Sequence, residues 1–205
     1  MIAPWTIGLW AALSAPFLAA IAVVAANRAP LVEPAPPTPQ YTLLALASGA
    51  ACAVALADRE AALRMLMLSA GLAYLSAFDL RALAAPVLPL IAGIALGLIW
   101  AGVEGVLVDR LLASSLGLLG FLAIDAGFKW LRGKSGLGAG DALVAAFIGV
   151  WLGGEGLAWS VALGAAAGAL FCLLRRWPRE KPLAFVPALA AGVLLHVIAV
   201  RAWGG

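Results

Sequence analysis

Charged residues are scarce in this sequence. Asp, Glu, Lys and Arg together make up 11% of its 205 residues, whereas a soluble domain carries roughly 25%. Hydrophobic residues make up 65%. So few charged groups cannot cover a surface that faces water, which excludes a soluble globular protein and predicts an integral membrane protein.

Metal-binding residues are scarce too. The chain has two cysteines, Cys52 and Cys172, each alone inside an apolar run, and one histidine, His196. A zinc site needs several such ligands at short spacing, so neither a metal nor a cofactor is expected. The basic residues are scattered along the chain rather than clustered, which argues against a nucleic-acid partner.

Long apolar runs, by contrast, are abundant. A membrane-spanning helix needs about 20 mostly apolar residues. Eight candidate runs, the sixth of them short, lie at residues 5–26, 41–57, 62–78, 86–101, 106–126, 142–152, 157–174 and 183–200. The sequence therefore predicts an all-α polytopic helix bundle of about eight spans, forming a single transmembrane domain over residues 1–205. A proline-rich loop at residues 27–40 joins the first two spans.

The Lys and Arg residues indicate an orientation. When the N-terminus is placed outside, nine of them fall in inner loops and four on the outer side, in line with the positive-inside rule. Asp79 at the end of the third span and Asp141 at the start of the sixth then share the cytoplasmic face. An acid beside an apolar segment is costly in a membrane, so a functional role is expected for both.

A glycine-dense loop leads to Asp141. Its residues Gly136, Gly138 and Gly140 would let the backbone approach an extended substrate closely. Two acids held close together share one proton, so one can take a proton from water while the other polarises a peptide carbonyl. The helix start at Asp141 favours its ionised form, which leaves Asp79 as the more readily protonated acid.

The residues alone leave three alternatives open. Asp141 could serve only as a cap on the helix that follows it. Asp79 could be a solvated interfacial acid paired with Arg81. Asp125, which also falls on the cytoplasmic side, could be the second acid in place of Asp79.

Four stretches match one pattern in order and spacing. They are residues 17–30, which close with Arg-x-Pro; Asp79, followed by Pro86; residues 136–141, which read Gly-Leu-Gly-Ala-Gly-Asp; and residues 185–190, which begin Phe-Val-Pro. Together they resemble the first span, the first catalytic segment, the G-x-G-D signature and the opening of the last span in the type IV prepilin peptidases, which are membrane aspartic proteases.

The resemblance implies an aspartic endopeptidase of the bacterial inner membrane, with Asp79 and Asp141, rather than Asp125, as the catalytic pair. Its partners would be membrane lipid and its substrates, the type IV prepilins or type II secretion pseudopilins. Their short basic leader would be cut after a glycine at the cytoplasmic face. Bifunctional members carry an insert, often with two C-x-x-C pairs, after the first span and methylate the product. Residues 27–40 stand in its place, so methyltransferase activity is not expected.

The chain departs from the family pattern at three positions. Leu143 stands where a lysine is usual, Val87 where Asp or Asn is usual, and Val186 where the glycine of Phe-Gly-Pro is usual. An alternative function follows from these departures. It is a catalytically inactive homologue that acts as a binding or assembly partner in the membrane.

Overall fold

Regular secondary structure is entirely helical wherever the chain is described. The computed structural model describes residues 59–133, 136–178 and 183–203. Within these ranges it contains five helices: α1 (Arg59–Ala82), α2 (Val87–Val103), α3 (Leu107–Arg132), α4 (Ala139–Leu174) and α5 (Val186–Trp203). The all-α prediction is thereby confirmed for this part of the chain.

Two of the helices, α3 and α4, are long and apolar enough by length and composition to cross a membrane, although α4 is interrupted at Gly153. The other three helices contain shorter apolar stretches, at Met67–Leu80, Val87–Val103 and Val186–Val200. Large hydrophobic side chains such as Leu88 and Leu116 are exposed on α2 and α3, as on a surface that faces lipid.

The N-terminal part of the prediction lies outside the described residues. It comprises the spans at 5–26 and 41–57, the proline-rich loop at 27–40 and Cys52. The number of eight spans therefore stays a prediction, as does the first stretch of the family pattern, at residues 17–30.

Phe147 of α4 lies at the centre of the core. A Cβ atom added at Gly71 of α1, or at Gly93 of α2, would lie 2.7 Å from its ring. The ring therefore fills the space between three helices, and a larger residue at either glycine would push it out. Because apolar interiors are close-packed, this contact fixes α1 and α2 against α4.

The first part of α4, residues 139–152, crosses α3 at close range. A Cβ atom added at Gly117 of α3 would lie 2.7 Å from the carbonyl oxygen of Ala145, and one at Gly149 would lie 2.6 Å from that of Ala113. Since the later residue of one helix faces the earlier residue of the other, the two run antiparallel. Small residues at such a crossing let the two backbones approach, as is common between membrane helices.

The second part of α4, residues 154–174, packs in the same way against α5. Gly164 lies against the backbone of Ala188 near the start of α5, and Gly156 lies beside His196 further along that helix. This part of α4 therefore runs antiparallel to α5.

Between its two parts, α4 reverses direction at Gly153. There the backbone angles, φ 79° and ψ −176°, lie in a region that essentially only glycine adopts. The rings of Phe121 in α3 and Phe185 before α5 lie 6.4 Å apart. Further along α5, His196 lies beside Gly156, and an added Cβ atom at the nearby Gly153 would lie 2.5 Å from Arg110 near the start of α3. Because α3 and α5 are thus antiparallel, the two parts of α4 point in opposite directions. They correspond to the spans predicted at 142–152 and 157–174.

These directions give the bundle two ends with different polar residues. One end, which we call the aspartate end, holds Asp79 in the last turn of α1, Asp125 in the second half of α3 and Asp141 at the start of α4. The other, which we call the ion-pair end, holds Arg64 of α1, Glu104 after α2, and both Asp109 and Arg110 of α3. The candidate site lies at the aspartate end.

Candidate active site

Asp79 is buried at the aspartate end, with 6% of its surface exposed. Its Oδ2 accepts a 3.0 Å hydrogen bond from the backbone N–H of Val186, the first residue of α5, and the amide of Phe185 lies beside it. The first amides of a helix have no partner within the helix and bind negative groups well. The backbone of the Phe-Val-Pro stretch therefore holds Asp79. The side chain of Arg81, its alternative partner, lies outside the described part of the structure.

Asp141 is the third residue of α4 and is partly buried. Its Oδ2 accepts a 3.0 Å hydrogen bond from the backbone N–H of Gly138, which precedes the helix. Asp141 therefore does cap the start of α4, although it does so from the third helical position. The cap contact engages one carboxylate oxygen and is compatible with a second role for the side chain.

Asp79 and Asp141 are brought together by a close contact between the segments that carry them. A Cβ atom added at Gly140 would lie 2.7 Å from the Cβ of Ala85 and 3.2 Å from its backbone nitrogen. Glycine at 140 thus permits the start of α4 to approach the loop after α1. The segments that carry Asp79 and Asp141 therefore lie against each other at the aspartate end.

A helix start lies at each of the two acids. Asp141 stands at the start of its own helix, α4, and Asp79 stands at the start of α5. The prediction that Asp79 is the more readily protonated acid was based on a helix start at Asp141 alone. Because a helix start lies at both acids, the helix starts do not distinguish which of the two is more readily protonated.

The three loop glycines have different surroundings. Gly136 packs on the ring of Phe128, which would lie 3.0 Å from an added Cβ atom. Gly138 has an extended backbone, with φ −80° and ψ 153°, and an added Cβ atom would meet nothing closer than Asp141 at 3.6 Å. Close packing therefore requires glycine at 140 and restricts position 136, whereas position 138 has room for a small side chain.

Asp125, the alternative second acid, is engaged elsewhere. It is buried, with 8% of its surface exposed. Its Oδ1 accepts hydrogen bonds from the backbone N–H groups of Gly136 at 3.1 Å and Leu137 at 3.2 Å. Its Oδ2 lies 2.6 Å from the Nζ of Lys129, one helical turn further along α3. Both of its oxygens are thus bound, to the glycine loop and to a cation.

The three departures from the family pattern lie in different environments. Val87 is the first residue of α2 and is half exposed, while Leu143 packs against the core from the first turns of α4. Val186 is fully buried, and its backbone N–H donates the hydrogen bond that Oδ2 of Asp79 accepts. Because a backbone amide makes this contact, valine supplies the same donor that glycine would.

Two of these contacts were not predicted from the sequence. The bond from Val186 to Asp79 joins residues 107 positions apart through a backbone group, so no residue type signals it. The contact of Asp125 with the glycine loop had a weak signal. An acid inside an apolar run, followed by Lys129 at the helical spacing of four residues, indicates a paired and buried carboxylate.

Comparison with known proteins finds related sequences that share one name. No family model matches the chain, and no solved structure matches it. A protein from Burkholderia pseudomallei (strain 1026b), named prepilin leader peptidase/N-methyltransferase, is 40% identical over 164 residues, which are 75% of this chain and 52% of that protein.

Two further relatives carry the same name. The protein from Aeromonas hydrophila is 33% identical over 172 residues, covering 80% of this chain and 55% of the relative. That from Pectobacterium carotovorum subsp. carotovorum is 32% identical over 144 residues, covering 65% of this chain and 50% of the relative. The chain thus spans about half the length of the curated relatives it matches.

Proposed function

Because the chain belongs to the type IV prepilin peptidase family, we propose that it is an aspartic endopeptidase. Its substrates are type IV prepilins or type II secretion pseudopilins, from which it removes the leader peptide. The observation that supports the proposal is the close approach of the segments that carry Asp79 and Asp141, at the contact of Gly140 with Ala85.

The chemistry needs one ionised and one protonated carboxyl group. The ionised carboxylate takes a proton from water while the water oxygen attacks the carbonyl carbon of the scissile peptide, and the protonated acid gives its proton to the carbonyl oxygen. A tetrahedral diol results. Its collapse breaks the C–N bond: the amide nitrogen receives a proton from the acid that was protonated by water, while the other carboxylate takes a proton from a diol hydroxyl. An amine and a carboxylic acid leave, and the two acids return to their starting state. No other reactant is required.

The position of the acids supports a substrate that enters from the membrane edge. Both acids lie at one end of the helices rather than midway along them. A leader in water, joined to an apolar segment in lipid, would pass this end with its cleavage site near the acids. The loop Lys and Arg residues favour the cytoplasmic side of the inner membrane for this end.

We assign only the peptidase activity to the chain. The relatives' names also include an N-methyltransferase, but the segment at residues 27–40 holds no C-x-x-C pair. Whether the cleaved product is methylated would then depend on another protein.

The test is co-expression with a prepilin from the same genome. We expect the wild type to shorten the prepilin on a gel, with N-terminal sequencing placing the cut after a glycine. Asp79→Asn and Asp141→Asn should each lower the cleavage rate by about 10³-fold, because each removes half of the acid–base pair. Glu155→Gln, at an exposed acid of α4, is the matched control and should cleave normally. Cleavage at the wild-type rate by either Asp79→Asn or Asp141→Asn would remove the pair from the mechanism.

The departures at Leu143 and Val87 favour a second candidate, an inactive homologue that binds prepilins or assembly proteins without cutting them. The same experiment separates the two. A wild-type protein that is inserted and retains prepilin on an affinity resin, but leaves the leader intact, would support the second candidate and contradict the first.

A further inference from the structure

We propose that Asp125 is a positioning residue, which holds the glycine loop so that Asp141 stands correctly against Asp79. The inference rests on the proposed function and deepens it. From the sequence alone, Asp125 was an alternative catalytic acid. We now assign it the role of holding the loop that leads to the proposed catalytic acid, Asp141.

The anchor consists of two successive backbone amides on one carboxylate oxygen. The N–H groups of Gly136 and Leu137 both point at Oδ1 of Asp125, at 3.1 and 3.2 Å. Hydrogen bonds to a charged acceptor are stronger than neutral ones, and a buried acceptor cannot exchange them for water. The loop backbone is therefore held to α3 at this point.

The carboxylate is itself fixed. Lys129 binds its other oxygen at 2.6 Å from the same helix face. The neighbouring Phe128 ring packs beneath Gly136 and lies under the guanidinium of Arg132, 5.4 Å from its centre. The last turns of α3 thus support the loop through the carboxylate of Asp125 and the ring of Phe128.

From this anchor the chain reaches the catalytic acid in four residues. The amide of Leu137 binds Asp125, and the next amide, that of Gly138, binds Asp141. Two residues later, Gly140 meets Ala85. So short a segment has little freedom, and releasing its first contact would let the start of α4 and Asp141 shift relative to Asp79.

The test compares two substitutions at the same position. Asp125→Asn keeps an oxygen that can accept both amides, whereas Asp125→Ala removes it. We expect Asp125→Ala to lower kcat about 10²-fold with little change in KM, as a displacement of about 1 Å at a reacting group does. Asp125→Asn should stay within about tenfold of the wild-type kcat. If Asp125 were a catalytic acid, the Asn variant would instead be as inactive as Asp141→Asn, which would overturn the inference.

A second readout does not depend on activity. Hydrogen exchange measured by mass spectrometry on the purified full chain should be fastest in the peptide over residues 133–141 for Asp125→Ala. Asp125→Asn, whose neutral oxygen forms weaker hydrogen bonds, should lie between Asp125→Ala and the wild type. A peptide from the α4–α5 contact serves as the folding control and should exchange equally in all variants. Unchanged exchange of the loop in Asp125→Ala would overturn the inference. Absence of cleavage by the wild type, with the exchange pattern as expected, would instead overturn only the proposed peptidase function.

Discussion

The two ends of the bundle hold their charges in different ways. At the ion-pair end, side chains neutralise each other: Arg64 and Glu104 lie 3.1 Å apart, and Trp100 donates a 2.7 Å hydrogen bond to the same glutamate. At the aspartate end, Asp79 and Asp141 accept hydrogen bonds from backbone amides at helix starts. One end pairs charge with charge, whereas the other holds the carboxylates of Asp79 and Asp141 with backbone dipoles.

The two ways of holding a carboxylate suit different roles, one in stabilising the fold and the other in a reaction. A carboxylate bound to a cation keeps little of its charge available, and its main effect is to join two helices. A carboxylate held by amides stays in place and keeps its ability to exchange a proton. Two such acids at one end of an apolar helix bundle are costly, which is a reason for the proposal that they serve a reaction. Asp125 combines both arrangements, which fits an anchor rather than a reactant.

The comparison predicts that a change in packing at the aspartate end will affect activity more than stability. Gly140→Ala forces a methyl group toward Ala85, at 2.7 Å, and should push α4 and Asp141 away from Asp79. We expect about a 10²-fold loss of kcat for prepilin cleavage. Gly138→Ala, two residues earlier, meets nothing closer than Asp141 at 3.6 Å and is the matched control, with a much smaller loss. Equal effects of the two substitutions would mean that the contact with Ala85 does not position the acid.

The helices were predictable because membrane spans carry a strong compositional signal. Each of the six predicted spans from 62–78 onward overlaps a described helix. The differences lie at ends where charge interrupts an apolar run. The fifth predicted span ends at residue 126, whereas α3 continues to Arg132. There Phe128 and Trp130 alternate with basic residues, a mixture that lowers hydropathy without opposing a helix.

The site was predictable only in part. Asp79 and Asp141 were selected by resemblance to a family motif, and the structure brings them to one end of the bundle. What holds them in place, the amides of Phe185, Val186 and Gly138, consists of backbone groups. Backbone groups are identical in every residue except proline, so only the folded chain reveals which of them meet an acid.

At the ion-pair end the comparison predicts the reverse, an effect on stability with activity retained. Gly153→Ala places a side chain where φ is 79° and where an added Cβ atom would lie 2.5 Å from Nη1 of Arg110. We expect a loss of about 2 kcal/mol in the free energy of unfolding, measured by denaturation in detergent. Gly154→Ala has open space around it and should be neutral. A Gly153→Ala protein as stable as the Gly154→Ala protein would show that the reversal in α4 does not need glycine.

The smallest expected effect comes from the ion pair itself. Glu104→Gln keeps an oxygen for the indole N–H of Trp100 but removes the charge that faces Arg64. Both side chains of this pair are about one-fifth exposed, so water screens their attraction only partly, and we expect a loss of about 1 kcal/mol in the free energy of unfolding. Asp109→Asn is the control, because Asp109 is 69% exposed and lies 3.9 Å from Arg110; it should not change stability measurably.

The rate of cleavage per folded molecule should be unchanged in both variants. A fall in kcat for Glu104→Gln comparable to that for Gly140→Ala would mean that the ion-pair end controls the position of the acids, and the division of the bundle into a structural and a chemical end would then be wrong.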